Sequence, residues 1–289
     1  MNILSVCNGI SCGRVAADRA DLKVDNYFSS EINEKAIEVS DENYPQDIKN
    51  KLGDITKWKE WNIPNIDLLI GGTPCQGLSR AKTDRENLID IRSKLFYDYV
   101  DIKNNCNPKY FLLENVCMDK DSEDIISELL GVQPILINSN LVSAQNRKRL
   151  YWTNIPNVTL PNDKAIFLKD IVYDMDYKLF QDERIEKTKK YTKNYVKWDM
   201  SGKNYGSQQD RAYYLTGKMC TLPKQQPLSK CNIQVAETVY KRCHPIEGER
   251  LQTLPDNYTD IIKSPNDRLG LCGDGWTVDV IAHIFKGLK

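Results

Sequence analysis

Cys75 stands in the run Gly71-Gly72-Thr73-Pro74-Cys75-Gln76, directly after the apolar stretch 66–70. Proline cannot donate a ladder hydrogen bond, so this run reads as a loop at the end of a strand. A free thiol has a pKa of about 8.5 and needs local charge or hydrogen bonds to become a nucleophile. The other reading of such a cysteine, which suits most of the remaining eight, is a buried structural residue. Glu114-Asn115-Val116 closes a second strand-like stretch. If the two strands are neighbours, the pair is chemically workable. A thiolate adds to an electrophilic carbon while the acid protonates a ring nitrogen. Gln145-Asn146-Arg147-Lys148-Arg149 alternates polar and basic residues. Strand alternation predicts Gln145, Arg147 and Arg149 on one face, where they could organise a site or meet phosphate.

A second set of residues suits a small ligand. Asn8-Gly9-Ile10-Ser11-Cys12-Gly13 follows the first strand-like segment. Glycine there lets backbone approach a ligand, and a following helix offers free N–H groups. A plain tight turn is the competing explanation. Glu31 follows the second strand, where a carboxylate can take ribose hydroxyls. Gly53-Asp54-Ile55 could place another acid over an adenine amino group. The order of glycine turn, acid and acid weighs more than any one of them.

The elements that must position these residues alternate. Segments 2–7, 24–30, 66–70, 110–114 and 134–138 read as strands, and 11–20, 34–43, 95–103 and 123–130 as helices. That order predicts an α/β fold with a parallel sheet covered on both faces. Such sheets bind ligands beyond the carboxyl ends of their strands. After Asn154 the chain becomes rich in Lys, Asp and Tyr with weak periodicity, which predicts a separate, looser module. A short helix over 247–254 ends at Pro255, and a confident pattern resumes over 275–288.

The 289 residues are 40% hydrophobic and 28% charged, an ordinary globular balance. The apolar runs are too short to span a bilayer. Residues 1–4 lead into a strand with neither a basic n-region nor an apolar h-region, so no signal peptide is expected. Nine scattered cysteines without a CxxC pair fit a reduced cytosolic chain, and two histidines argue against a His-rich metal site. The net charge of zero hides an asymmetry. Residues 145–250 hold 20 basic and 12 acidic side chains, against 20 and 28 elsewhere. A basic region able to meet phosphate and a chance asymmetry both account for this.

Taken together, these motifs resemble the C5-cytosine-specific DNA methyltransferase family, from Ile3 to the C terminus. The glycine turn is similar to the family's first motif. Gly72-Thr73-Pro74-Cys75-Gln76 matches its catalytic Pro-Cys-Gln motif, and Asp90-Ile91-Arg92-Ser93-Lys94-Leu95-Phe96 resembles the segment after it. Glu114-Asn115-Val116 and Gln145-x-Arg147-x-Arg149 match two more. Arg242 with Pro245-x-Glu247-x-x-Arg250-Leu251-Gln252 resembles the motif supporting target recognition, and Gly273-Asp274-Gly275-Trp276 the closing one. Within the family, the likeness is to phage and bacterial enzymes, with some likeness to the de novo branch.

The resemblance implies a Rossmann-like S-adenosyl-L-methionine-dependent methyltransferase sheet with a smaller target-recognition domain. Residues 1–156 and 266–289 would form the catalytic domain, and 157–265 the recognition domain. The activity implied is DNA (cytosine-5-)-methylation through a covalent Cys75 adduct. Glu114, Arg147 and Arg149 would complete the catalytic set, with Thr73 and Asn115 holding geometry. Asn8, Gly9, Ile10, Ser11, Gly13, Glu31, Ile32, Asp54, Ile55, Gly72, Pro74, Asp274, Gly275 and Trp276 would hold the cofactor. Gln76, Ser79, Arg80, Lys82, Arg85, Lys203, Arg211, Lys218 and Arg242 would serve double-stranded DNA, Arg242 by bracing the smaller domain. The segment 197–222, with its lysines and tyrosines, is the candidate groove-reading surface; a tyrosine-rich small core explains it equally well. A monomer in the host cytoplasm, in a restriction–modification setting, is expected.

Three departures from the family pattern stand out, one being a short gap between Trp152 and Arg242, which implies a small recognition module. Cys7 occupies a position usually held by Phe, and Asp274 one usually held by Asn. Asp adds a negative charge and removes an amide donor. An RNA cytosine methyltransferase and a catalytically silent nucleic-acid-binding relative are the alternatives. A nucleotide-dependent oxidoreductase would need Gly-x-Gly-x-x-Gly, which residues 8–13 do not supply.

Overall fold

All four residues of the stretch Leu68–Gly71 are buried, as are residues 3–6, so these strands must be covered on both faces. The computed structural model places them at the centre of a sheet; it describes residues 1–73, 94–197 and 210–289. The chain divides into two units, the first being Met1–Asn138, Lys148–Leu160 and Val280–Lys289, and the second Ser139–Arg147 and Pro161–Asp279.

In the first unit the elements run β1 (Asn2–Val6), α1 (Cys12–Arg19), β2 (Asn26–Ser30), α2 (Glu34–Asn43), β3 (Leu68–Gly71), α3 (Lys94–Cys106), β4 (Tyr110–Val116), α4 (Lys120–Leu130) and β5 (Ile135–Asn138). The short β6 (Gln145–Asn146) belongs to the second unit, and β7 (Lys148–Thr153) returns to the first. Among the described residues the sheet has six strands in the order β2-β1-β3-β4-β7-β5. The first four are parallel, as the alternating pattern predicts. The sheet is nevertheless mixed, because β7 runs antiparallel to both β4 and β5. The chain enters β7 straight from β6, without the crossover helix that a parallel neighbour requires. Leu4, Val6 and Leu69 pack with Phe96 and Tyr99 of α3 and Ile126 and Leu130 of α4 in one core.

The second unit contains α5 (Leu168–Ile171), β8 (Leu179–Phe180), α6 (Glu183–Thr188), β9 (Lys190–Tyr191), β10 (Tyr195–Lys197), β11 (Arg211–Tyr214), β12 (Met219–Cys220), α7 (Pro227–Lys230), β13 (Asn232–Ala236), β14 (Val239–Arg242), α8 (Pro245–Leu251) and α9 (Pro265–Asp274). The final helix, α10 (Val278–Phe285), carries the chain back into the first unit. Its sheet order is β8-β14-β13-β11-β10-β9 among the described residues, antiparallel except where β11 meets β13. These strands are two to five residues long, too short for a clear period in the sequence. Residues 266–279, assigned above to the catalytic domain, group with the second unit, as does Ser139–Arg147. Buried hydrogen bonds explain this: Gln252 Nε2 donates to Cys272 O, and Gln145 Nε2 to Gln252 Oε1.

Candidate active site

At the carboxyl end of β1 the backbone turns through left-handed conformations at Cys7 (φ 52°), Gly9 (φ 56°) and Ser11 (φ 61°). Tyr27 Oη donates to Asn8 Oδ1 at 2.9 Å, and Asn8 Nδ2 to Ser11 Oγ at 2.8 Å, so side chains hold the turn. Gly9 N–H donates to Glu31 Oε2 at 2.7 Å. The other oxygen, Oε1, accepts from the amides of Ile32 and Asn33, each at 2.9 Å. Three backbone amides thus fix this carboxylate at the end of β2. Its remaining lone pairs face a cleft lined by Asn8, Gly9, Ser29, Glu31 and Gly53, among others. Ile10 is buried in the turn and Gly13 in the first turn of α1, so both serve the fold of this wall.

The sequence missed Ser30, whose hydroxyl donates to Gly53 O at 2.7 Å and ties the second wall of the cleft to the first. Asp54 caps the following helical turn, accepting from Thr56 N–H at 2.9 Å. Ile55 is buried, while Ile32 is 70% exposed, an apolar face beside Glu31. Burial pushes the Cys7 thiol up to about 12, and the carboxylates of Glu31, Asp54 and Asp98 add to the shift. Cys7, half-buried at the start of the turn, is therefore neutral. The set of acceptors and apolar surface suits a nucleoside, and the carboxylate at the glycine turn is the wrong charge for a phosphate.

At β3 the chain passes under Tyr99. A Cβ on Gly71 would lie 2.8 Å from Val6 and 2.9 Å from Tyr99, so only glycine fits. Gly71 pairs with Leu113 of β4, which puts Gly72 and Thr73 beside the end of that strand. Asn115 Nδ2 donates to Thr73 Oγ1 at 3.5 Å. Pro74, Cys75, Gln76, Ser79, Arg80, Lys82 and Arg85 lie outside the described residues, as does Lys203. Glu114 is 8% exposed, and its Oε1 is 2.9 Å from Arg149 Nε on the neighbouring β7.

Residues 145–149 alternate as expected, with Gln145 and Arg147 buried, Asn146 and Lys148 exposed and Arg149 half-buried. Arg149 belongs to the first unit, whereas Gln145 and Arg147 are buried in the second. Arg147 donates to Gly273 O at 3.2 Å and Gly275 O at 2.9 Å. Carbonyls at a helix C-terminus lack intrahelical partners and attract a cation, so Arg147 caps α9. Gln145 Nε2 donates to Leu251 O at 2.5 Å. The break between β6 and β7 is what the alternation argument could not see.

In the closing motif, a Cβ on Gly273 would meet Pro223 O at 2.6 Å, which explains that glycine. Gly275 is buried, Trp276 is half-buried, and the exposed Asp274 forms an ion pair of 2.7 Å with Lys224. No local signal links Lys224 to Asp274, fifty residues further along the chain.

The basic residues assigned to DNA divide. Lys218 turns inward and donates to the carbonyls of Asn140 and Ser143, which corrects its place on a reading surface. Arg242 also faces inward, donating to Asn232 Oδ1 and Ser229 O with its guanidinium 4.2 Å from the Phe180 ring centroid. That is bracing of the module's sheet. Tyr213 is buried and Tyr214 packs on the module's core, so both tyrosines are partly structural. Arg211 and Lys218 both line an open cleft, Lys218 with its ammonium bound to backbone carbonyls.

The family model for C-5 cytosine-specific DNA methylases matches residues 1–289. Type II methyltransferase M.NgoPII of Neisseria gonorrhoeae is 27% identical over 277 residues, covering 82% of this chain and 81% of that protein. Type II methyltransferase M.FnuDI of Fusobacterium nucleatum is 26% identical over 329 residues, covering 100% and 94%. In fold, the solved structure of the Entamoeba histolytica methyltransferase EhMeth is similar, with a TM-score of 0.73, 16% identity and coverage of 100% and 99%. With the glycine turn, the Glu-Asn-Val strand end and the sheet order on which the motifs lie, the full-length match establishes that this chain belongs to the C-5 cytosine-specific DNA methylase family.

Proposed function

We propose that the chain methylates C5 of cytosine in double-stranded DNA, with S-adenosyl-L-methionine as donor and Cys75 as nucleophile. The observation that carries this reading is the pairing of β3 with β4. Thr73, two residues before Cys75, hydrogen-bonds Asn115, the neighbour of Glu114. That adjacency of the strand ends supports the reading in which the residues following Thr73 share a site with Glu114.

Cytosine C5 is a poor nucleophile. Attack of the Cys75 thiolate forms a carbon–sulfur bond at C6, while Glu114 delivers a proton toward N3. C5 then has enamine character and can take a methyl group. Loss of the C5 proton and elimination of Cys75 restore the aromatic ring and the thiolate. Arg149 holds the Glu114 carboxyl in one orientation. S-adenosylmethionine, when bound, supplies an electrophilic methyl on a sulfonium. Glu31 would hold its ribose hydroxyls, Ile32 would cover the adenine, and Asp54 would accept from the adenine amino group. The target base must leave the stack, at a cost of roughly a few kcal/mol. Arg80, Lys82 and Arg85 supply charge suited to the displaced strand. The protein would act as a monomer in the host cytoplasm, in the restriction–modification setting that the relatives' Type II names suggest.

Nucleoside mass spectrometry on plasmid DNA tests the reading, using the unmodified protein and Cys75→Ser. 5-Methyldeoxycytidine with the first alone is the expected result. Its absence from both, or its appearance only on an RNA substrate, rejects DNA as the substrate.

A further inference from the structure

Ser11 is the N-cap of α1, where a serine side chain usually accepts from an amide of the helix's first turn, yet it makes no capping hydrogen bond. Its hydroxyl leaves the helix and hydrogen-bonds Ser40 Oγ, 29 residues further along the chain. Ser40 is 9% exposed and shares the inner face of α2 with the buried Ala36 and Val39, which anchor that helix. Asn8 sets the direction of the chain of donors. Its Oδ1 takes the proton of Tyr27 Oη at 2.9 Å, and its Nδ2 donates to Ser11 Oγ at 2.8 Å. A hydroxyl has one proton to give, and with its lone pair taken by Asn8, that of Ser11 is left for Ser40.

The turn after β1 needs such a tie. Cys7 and Ser11 hold left-handed φ angles of 52° and 61°, which are costly for residues with a Cβ. Strained backbone of this kind persists only where its surroundings over-determine it. Gly9, between the two, gives the N–H that Glu31 Oε2 accepts at 2.7 Å. A shift of Ser11 would therefore move one of the three amides that fix this carboxylate. Ser40 also lines the cleft at Glu31, together with Ile37 and Lys51. We propose that Ser40 is a positioning residue for the cofactor, holding the strained turn through Ser11 so that Glu31 keeps its place against the nucleoside. The inference rests on S-adenosylmethionine as the donor.

Titration calorimetry with S-adenosylmethionine alone, without DNA, tests it. Ser40→Ala should weaken cofactor affinity about fivefold, in the range of one ordinary hydrogen bond, and Ser40→Thr, which keeps the hydroxyl, should stay within about twofold. Ser11→Ala should lose a similar amount to Ser40→Ala. In the Ser11→Ala background, Ser40→Ala should then cost nothing further, because the two hydroxyls act as one unit. A Ser40 that merely stabilised α2 would lower the denaturant midpoint and leave the affinity alone. A Ser40 that touched the cofactor itself would give losses that multiply in the double variant. Either result overturns the positioning role and leaves DNA methylation standing. If circular dichroism shows Ser40→Ala unfolded, Ser40→Cys takes its place in the cycle, since a thiol fills the site but bonds weakly. If the unmodified protein binds no S-adenosylmethionine, the functional reading falls and this proposal falls with it.

Discussion

Arg149 Nε lies 2.9 Å from Glu114 Oε1, with 14% and 10% of the respective side chains exposed. The two sit on the antiparallel pair β4–β7, with Arg149 opposite Val116 and Glu114 opposite Tyr151. A guanidinium at this register fixes the carboxyl without closing the strand end. Glu114→Gln should lower kcat by about 10²–10⁴, the usual worth of a positioned acid. Arg149→Ala should recover only part of that rate through the intact Glu114, and Arg149→Lys should fall between, since an ammonium lacks the planar fork. Single-turnover methylation rates measure all three. Equal rates for Arg149→Ala and the unmodified protein would remove the positioning role.

Arg147 gives a different signature. Its removal leaves the Gly273 and Gly275 carbonyls short of donors in a buried place. Each such group costs about 1–3 kcal/mol, so Arg147→Ala should lower the denaturant midpoint markedly. The chemical step in the fraction that remains folded should stay close to the original rate. A lost chemical step at unchanged stability would return Arg147 to the base site.

Much of the first unit was readable because its strands are buried on both faces and separated by helices with clear caps. Asn33 and Asp119, for example, cap α2 and α4 through their side chains. Glu31 follows the end of β2 as the sequence predicts, whereas Asp54 is placed by capping a helical turn. The antiparallel β7 was not, because alternation over residues 145–149 is silent about a break in the strand. Arg147 and Lys218 carry the same charge as Arg149 and Arg211, and only long-range backbone acceptors set the first two apart. The second sheet hid in strands too short to show a period.

Cys7 provides a chemical check on the turn after β1. With its thiol pushed up to about 12, only about one molecule in ten thousand carries a thiolate at pH 8. Iodoacetamide at pH 8, followed by peptide mass spectrometry, should leave Cys7 unmodified in the folded protein and label it after denaturation. Rapid labelling in the folded state would contradict the half-buried, acid-flanked environment.

His244 makes the second unit acid-sensitive. Its Nδ1 accepts from Ile246 N–H at 3.1 Å as the cap of α8, and Tyr173 and Tyr177 flank the ring. Burial, the largest cause, lowers its pKa below the usual 6.5. The unfolded chain therefore binds the proton more readily. This contribution to stability is present above pH 6.5 and is lost as pH falls through the lowered folded value. The denaturant midpoint should drop between pH 7.5 and pH 5. His244→Asn keeps a capping acceptor without titrating, so its midpoint should fall less over that interval. Parallel curves for the two proteins would exclude His244 as the source.

Asp274 replaces the family's Asn, and its added charge need not act on the cofactor, because Lys224 Nζ stands 2.7 Å away. The pair is exposed, 63% for Lys224 and 37% for Asp274, so its own worth is about 0–1 kcal/mol. Asp274→Asn removes one charge and leaves the other to solvent. It should change S-adenosylmethionine affinity by no more than about threefold and barely move the melting temperature. Lys224→Ala uncovers the carboxylate, and its effect on affinity should be larger and should fade as salt rises. Titration calorimetry on both single variants and the double variant separates the two contributions. If Asp274→Asn alone shifted affinity tenfold, neutralisation by Lys224 would be insufficient and the carboxylate itself would be a cofactor contact.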